Sequence, residues 1–137
     1  MSSRALLASA WTVVILAIFL VPSDWLPVAE ARLSSSHFLL PRDKLVHSGM
    51  FAILSVLWMR VMPTRGWTVL VSVGGLALAI LTELGQGLPM IGRDPDRLDA
   101  LADAVGTFVG VGVFWALRGL AVASPPAEPD RSSTPEY

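Results

Sequence analysis

Between Asp43 and Asp103 lie the residues of this chain that could pair charges, move protons or hold a ligand: Asp43, Lys44 and His47, then Glu83 and Gln86, then Arg93, then Asp99 and Asp103. Their spacing is helical. Asp43 and His47 are four apart, while Lys44 and His47, and Glu83 and Gln86, are three apart, so each pair can share a helix face. Asp99, Asp103, Gly106 and Gly110 step by four, three and four residues, which stacks two acids above two glycines on one stripe. Lys44 and Arg93 are suited to a phosphate or carboxylate, and Glu83, Gln86 and Asp99 can orient them or accept from hydroxyl donors. His47 and Glu83 could instead serve as base and acid, or His47, Glu83, Asp99 and Asp103 could supply nitrogen and oxygen ligands to a divalent metal. The chain contains no H-E-x-x-H, no G-x-S-x-G and no Cys, which removes the familiar metallopeptidase and serine-hydrolase patterns, thiol chemistry and disulfides. An enzymatic role therefore stays open, and no metal or cofactor is assigned.

These residues must be positioned by apolar elements. Of 137 residues, 53% are hydrophobic and 15% charged, and the mean hydropathy is +0.61. Four apolar runs, at residues 5–21, 45–62, 67–88 and 101–123, each approach the length of about 20 residues that a helix needs to cross about 30 Å of hydrocarbon. The fold expected is an all-α membrane protein, a bundle of four transmembrane helices within a domain at residues 1–123, followed by a polar, disordered tail at 124–137. Long runs without period-two alternation argue against a membrane barrel. The net charge of -1 and the scarcity of basic clusters argue against nucleic acid as a partner. A cleavable signal peptide ending near Ala29-Glu30-Ala31 is the rival reading of the first run, which is longer than the usual apolar core of such a peptide.

The short turn at residues 63–66 makes the second and third helices antiparallel neighbours. The start of helix two, the end of helix three and the start of helix four then share one surface, where Asp43, Lys44, His47, Glu83, Gln86, Arg93, Asp99 and Asp103 converge. The arginines at 4, 60, 65, 118 and 131 fall on the other surface against Arg32, Arg42, Lys44, Arg93 and Arg97 on this one, an even tally; with Arg42, Lys44, Arg93 and Arg97 read as site or pairing residues, the positive-inside tendency favours both termini inside. Trp25, Trp58, Trp67 and Trp115 are placed as interfacial anchors, His37 as an exposed loop histidine, and Gly74-Gly75 with Gly106 and Gly110 as sites of close helix approach. Asp96 and Asp99 also suit a helix N-terminus. A purely structural alternative is a buried ionic network that fixes helix register, with Lys44 or Arg93 against Glu83 and Asp99.

The order D-K-x-x-H at Asp43, Lys44 and His47, E-x-x-Q at Glu83 and Gln86, Arg93, and D-x-x-x-[N/D]-x-x-G at Asp99, Asp103 and Gly106 resembles the VanZ-like family of bacterial integral membrane proteins. The resemblance covers residues 43–112 and the preceding hydrophobic helix. The family usually has Asn where this chain has Asp103, an added acid that raises local negative charge or shifts one carboxylate toward its protonated form. The resemblance implies a multi-pass protein of the bacterial cytoplasmic membrane with the lipid bilayer as its surroundings. It also implies an influence on susceptibility to teicoplanin-type glycopeptides, and the polar residues themselves are read as a junction that would bind a lipid headgroup or lipid-linked envelope intermediate. The alternatives are a membrane-embedded metal-assisted hydrolase or transferase, and a structural membrane protein.

Overall fold

The computed structural model describes residues 1–22, 42–92 and 95–123. Among these residues it has four helices and no strand: α1 (Ser3–Phe19), α2 (Arg42–Met59), α3 (Arg65–Gln86) and α4 (Arg97–Ala123). The connector with Trp25 and His37, the residue Arg93 and the tail at 124–137 lie outside the described residues.

Each helix starts ahead of the apolar run that hydropathy marks, and at three of these starts a side-chain oxygen accepts from an exposed amide. Ser2 accepts from the Ala5 N–H to open α1 and Thr64 accepts from the Trp67 N–H to open α3, each satisfying an amide with no intrahelical partner. Asp96 accepts from the Leu98 N–H at 2.9 Å at the start of α4. Asp43 lies in the first turn of α2, where a carboxylate favours the exposed N–H groups. The helices also end early. Pro22, Pro63 and Pro89 follow α1, α2 and α3 by three or four residues, and a residue that precedes proline is pushed out of the helical region.

Cross-helix hydrogen bonds define the topology. Trp11 Nε1 donates to the Met50 carbonyl and Trp58 Nε1 to Thr12 Oγ1, both at 3.1 Å, which ties α1 to α2; Arg4 at the start of α1 reaches the Arg60 carbonyl just beyond the end of α2, while Phe19 at the end of α1 stacks on His47 near the start of α2, so the two run antiparallel. Trp67 Nε1 donates to the Trp58 carbonyl at 2.7 Å across the tight turn, and Trp115 Nε1 to Thr68 Oγ1 at 3.2 Å ties α4 to α3. Each described tryptophan thus spends its indole N–H on another helix or turn, a stronger constraint than an interfacial anchor alone imposes. Helices α2 and α4 run parallel and in the closest contact: a Cβ on Gly106 would stand 2.8 Å from Ser48 Cα, and one on Gly110 2.9 Å from Ala52 Cα. Gly75 performs the same service between α3 and the Thr107 side chain, while Gly74 faces open space. Helix α2 touches the other three helices, and α1 and α4 do not meet.

The core is small: Ile15, Phe19, Met50, Phe51, Leu54 and Ala79, with Trp11, Trp58 and Leu78 packed against it. Polar residues join it. His47, Ser55, Thr82, Gln86, Asp99, Asp103 and Thr107 are buried, while Val69, Val73, Leu81, Leu84, Phe108 and Leu120 are exposed. Two helices, Arg65–Gln86 and Arg97–Val122, are long and apolar enough to cross a membrane. Helix α1 is apolar but has 17 residues, and α2 opens on the charged residues Arg42, Asp43 and Lys44.

Candidate functional site: a polar shaft between parallel helices

The parallel contact of α2 and α4 builds the site. With Ser48 against Gly106 and Ala52 against Gly110, the turns just before these positions bring Lys44 level with Asp99 and His47 level with Asp103. The Lys44 ammonium ion-pairs with both Asp99 and Asp96. His47 Nδ1 lies 3.1 Å from Asp103 Oδ1, and its Nε2 stands 3.9 Å from Asp43 Oδ1, within ion-pair range but beyond a hydrogen bond. Phe19, at the end of α1, stacks on the face of the His47 ring at 4.3 Å between centroids and fixes the imidazole plane.

Exposure falls along this set. The side chains of Asp43 and Asp96 are 66% and 45% exposed, those of Lys44 and Asp99 16% and 12%, and those of His47 and Asp103 9% and 2%. A shaft of ionisable groups therefore descends from the end of the bundle toward its interior. Thr107 closes its floor: it is fully buried and donates to the Asp103 carbonyl at 3.0 Å. At the mouth, the Lys44 ammonium, helped by the Leu98 N–H, holds the Asp96 carboxyl below the ordinary carboxylate range, because both interactions favour the charged form.

From α3, Glu83 comes within electrostatic reach of Asp96, Asp99 and His47. Its Oε1 is buried and has no hydrogen-bond partner among the described residues. Gln86, one turn later, is buried at the same end. The structure thus gathers Asp43, Lys44, His47, Glu83, Gln86, Asp99 and Asp103 at one end of the bundle. In this cluster five carboxylates, with Asp96 included, surround one lysine and one histidine.

This charge surplus changes the chemistry expected of individual residues. Lys44 is held between two aspartates, so it is no free contact for a phosphate. Carboxylate oxygens are the open valences, suited to hydroxyl or ammonium donors. A metal would find one nitrogen and two oxygens at Asp43, His47 and Asp99, whose ligand atoms lie within 4.8 Å of one another. Only His47 and Asp99 of the four ligands expected from the sequence belong to that group.

Three contributors were not legible as site residues. Asp96 reads as a helix cap, yet its three-residue spacing from Asp99 was the available signal that both could face Lys44. Thr107, four residues after Asp103, carries the same kind of signal. Phe19 carries none, because nothing in the sequence sets the register of α1 on α2. No protein-family model, curated protein or solved structure matches the chain.

Proposed function

We propose that this chain is a VanZ-like integral membrane protein of the bacterial cytoplasmic membrane, a bundle of four transmembrane helices with both termini inside. Its shaft opens at the outer surface and binds an envelope ligand, a lipid headgroup or lipid-linked intermediate that presents hydroxyl or amino groups. Through that ligand the protein alters susceptibility to teicoplanin-type glycopeptides.

The reading is carried by Glu83, whose Oε1 is buried without a partner among the described residues beside a shaft already rich in carboxylates. A buried acceptor left open costs about 1–3 kcal/mol, a cost that a donor group on a ligand removes. The membrane part draws support from the inverted distribution of side chains. Leu84 is 65% exposed and Leu81 62%, whereas Asp103 is 1% exposed, the opposite of what water selects. Ionisable groups that face a bundle interior are the usual arrangement within lipid.

The test measures antibiotic susceptibility and membrane protein level together, in cells expressing wild type, Glu83→Gln, Asp99→Asn or Arg93→Ala. Variants that accumulate normally and lose a teicoplanin phenotype support the ligand site. Variants that vanish from the membrane point to residues that hold the helices together instead. The grouping of Asp43, His47 and Asp99 favours a second reading, metal-assisted hydrolysis or transfer, in which a metal would polarise a phosphoryl or carbonyl oxygen. Stoichiometric metal in protein purified without added metal, lost in His47→Ala, would select that reading.

A further inference from the structure

At the end of the bundle opposite the shaft, Arg4 of α1, Arg60 just beyond α2 and Arg118 of α4 line one groove of about 420 Å³, whose walls include Val56, Phe114 and Leu117. The groove exists because α1 and α4 do not touch and leave the α2 surface open between them. We propose that it binds the phosphate of an anionic phospholipid of the inner leaflet, with an acyl chain along the apolar wall. The proposal rests on the membrane reading above.

Every ion pair among the described residues lies at the shaft end, and the described acids, Asp43, Glu83, Asp96, Asp99 and Asp103, all lie there as well. The groove thus brings together three guanidinium groups from separate parts of the chain with no carboxylate among the described residues to neutralise them. Their planar forks match phosphate oxygens. Arg4 donates to the Arg60 backbone carbonyl at 3.3 Å, which fixes the Arg4 guanidinium beside the residue that carries the second one. Arg118 lies over the Trp115 ring at 5.6 Å from its centroid, an attraction that orders its guanidinium. The groove is also mixed in character, basic at its arginines and apolar along its wall. Inorganic phosphate would use the arginines but not the Val56, Phe114 and Leu117 surface, whereas a phospholipid uses both, and basic pockets between helices on the cytoplasmic side recognise lipid headgroups in this way.

The full-length protein is purified in mild detergent from membranes containing phosphatidylglycerol and phosphatidylcholine, and the retained lipid is identified by mass spectrometry. Phosphatidylglycerol should be retained in preference to phosphatidylcholine. The preference should fall about fivefold for each guanidinium removed, as expected for roughly one unit charge near an anionic surface. Arg60→Gln alone tests this with the least risk to folding, and Arg4→Gln/Arg60→Gln/Arg118→Gln should abolish the preference. Arg42→Gln/Arg97→Gln, which removes two positive charges at the other end, should leave it intact. Equal retention of both lipids by wild type, an undiminished preference in Arg60→Gln, or complete stripping of the lipid by millimolar inorganic phosphate overturns the proposal. A carbonate wash separates the two failures. Protein released by carbonate refutes the membrane reading, whereas protein that stays with the membrane but shows no lipid preference refutes only this site.

Discussion

Replacing Gly106 with Ala drives a methyl group into the α2 backbone. Ordinary contact for a Cβ begins at 3.4 Å, whereas this one would stand 2.8 Å from both Ser48 Cα and Ser48 C, a shortfall of about 0.6 Å in atom separation. The obstacle is main chain, so no rotamer change relieves it and α4 must move away from α2. Overpacking of this kind costs about 1–3 kcal/mol. Ala also improves on Gly within a helix by about 1 kcal/mol, which would blur the result if Gly106→Ala were compared with wild type alone. Gly112, on the same helix, has nothing within 4 Å of its added Cβ, so Gly112→Ala receives the propensity gain without the clash. The difference between the two variants isolates the contact and should be about 1–3 kcal/mol. Unfolding in mixed micelles of increasing dodecyl sulfate, followed by circular dichroism, measures it. The double variant Gly106→Ala/Gly110→Ala should lose less than the sum of its parts, because one outward shift of α4 relieves both clashes. If Gly106→Ala and Gly112→Ala unfold at the same detergent composition, the backbone contact between α2 and α4 is refuted.

Lys44→Met should destabilise the protein by about 3–5 kcal/mol by leaving the Asp99 carboxylate largely buried and unpaired, and adding Asp99→Leu should recover most of that loss; the same unfolding assay reads both. Asp103→Asn should be tolerated, since an amide still offers a hydrogen-bonding atom to His47 Nδ1, whereas Asp103→Leu should cost about 1–3 kcal/mol and change the pH titration of the imidazole followed by NMR. Lys44 holds the Asp96 carboxyl below its ordinary value of 3.8, so the stability that this pair supplies is fully present above that value and is lost as pH falls through the lower folded value. Stability scanned from about pH 6 to pH 2 should decline less on the acid side in Asp96→Asn than in wild type.

The four apolar runs and the brevity of residues 63–66 made much of the topology legible, because antiparallel neighbours alternate ends. The positions of Asp43, Lys44, His47, Glu83, Gln86, Asp99 and Asp103 along those runs then placed them at a common end. Helix starts were less legible: hydropathy sees Arg42, Asp43 and Arg97 as breaks, whereas the first turn of a helix accepts charge. Individual partners were harder still. Asp96 and Asp99 both suit capping and both suit Lys44, and only the parallel seating of α2 on α4 brings them to the same ammonium. The tryptophans illustrate a second limit. A position near the end of an apolar run suggests an interfacial ring, but whether Trp58 donates to water or to Thr12 depends on the register between helices that no local pattern sets.

The parallel pairing of α2 with α4 also has a meaning in time. Lys44 and His47 are separated from Asp96, Asp99 and Asp103 by 52 to 56 residues of chain. At a synthesis rate of about 5–20 residues per second, the lysine and histidine leave the ribosome roughly 3–11 s before their partners. During that interval α2 is a helix whose charged first turn has nothing from α4 to neutralise it, and it can seat fully only when the last helix arrives. A chain that stops short of α4 would carry that unmet charge permanently, a chemical mark that distinguishes an unfinished copy from a complete one.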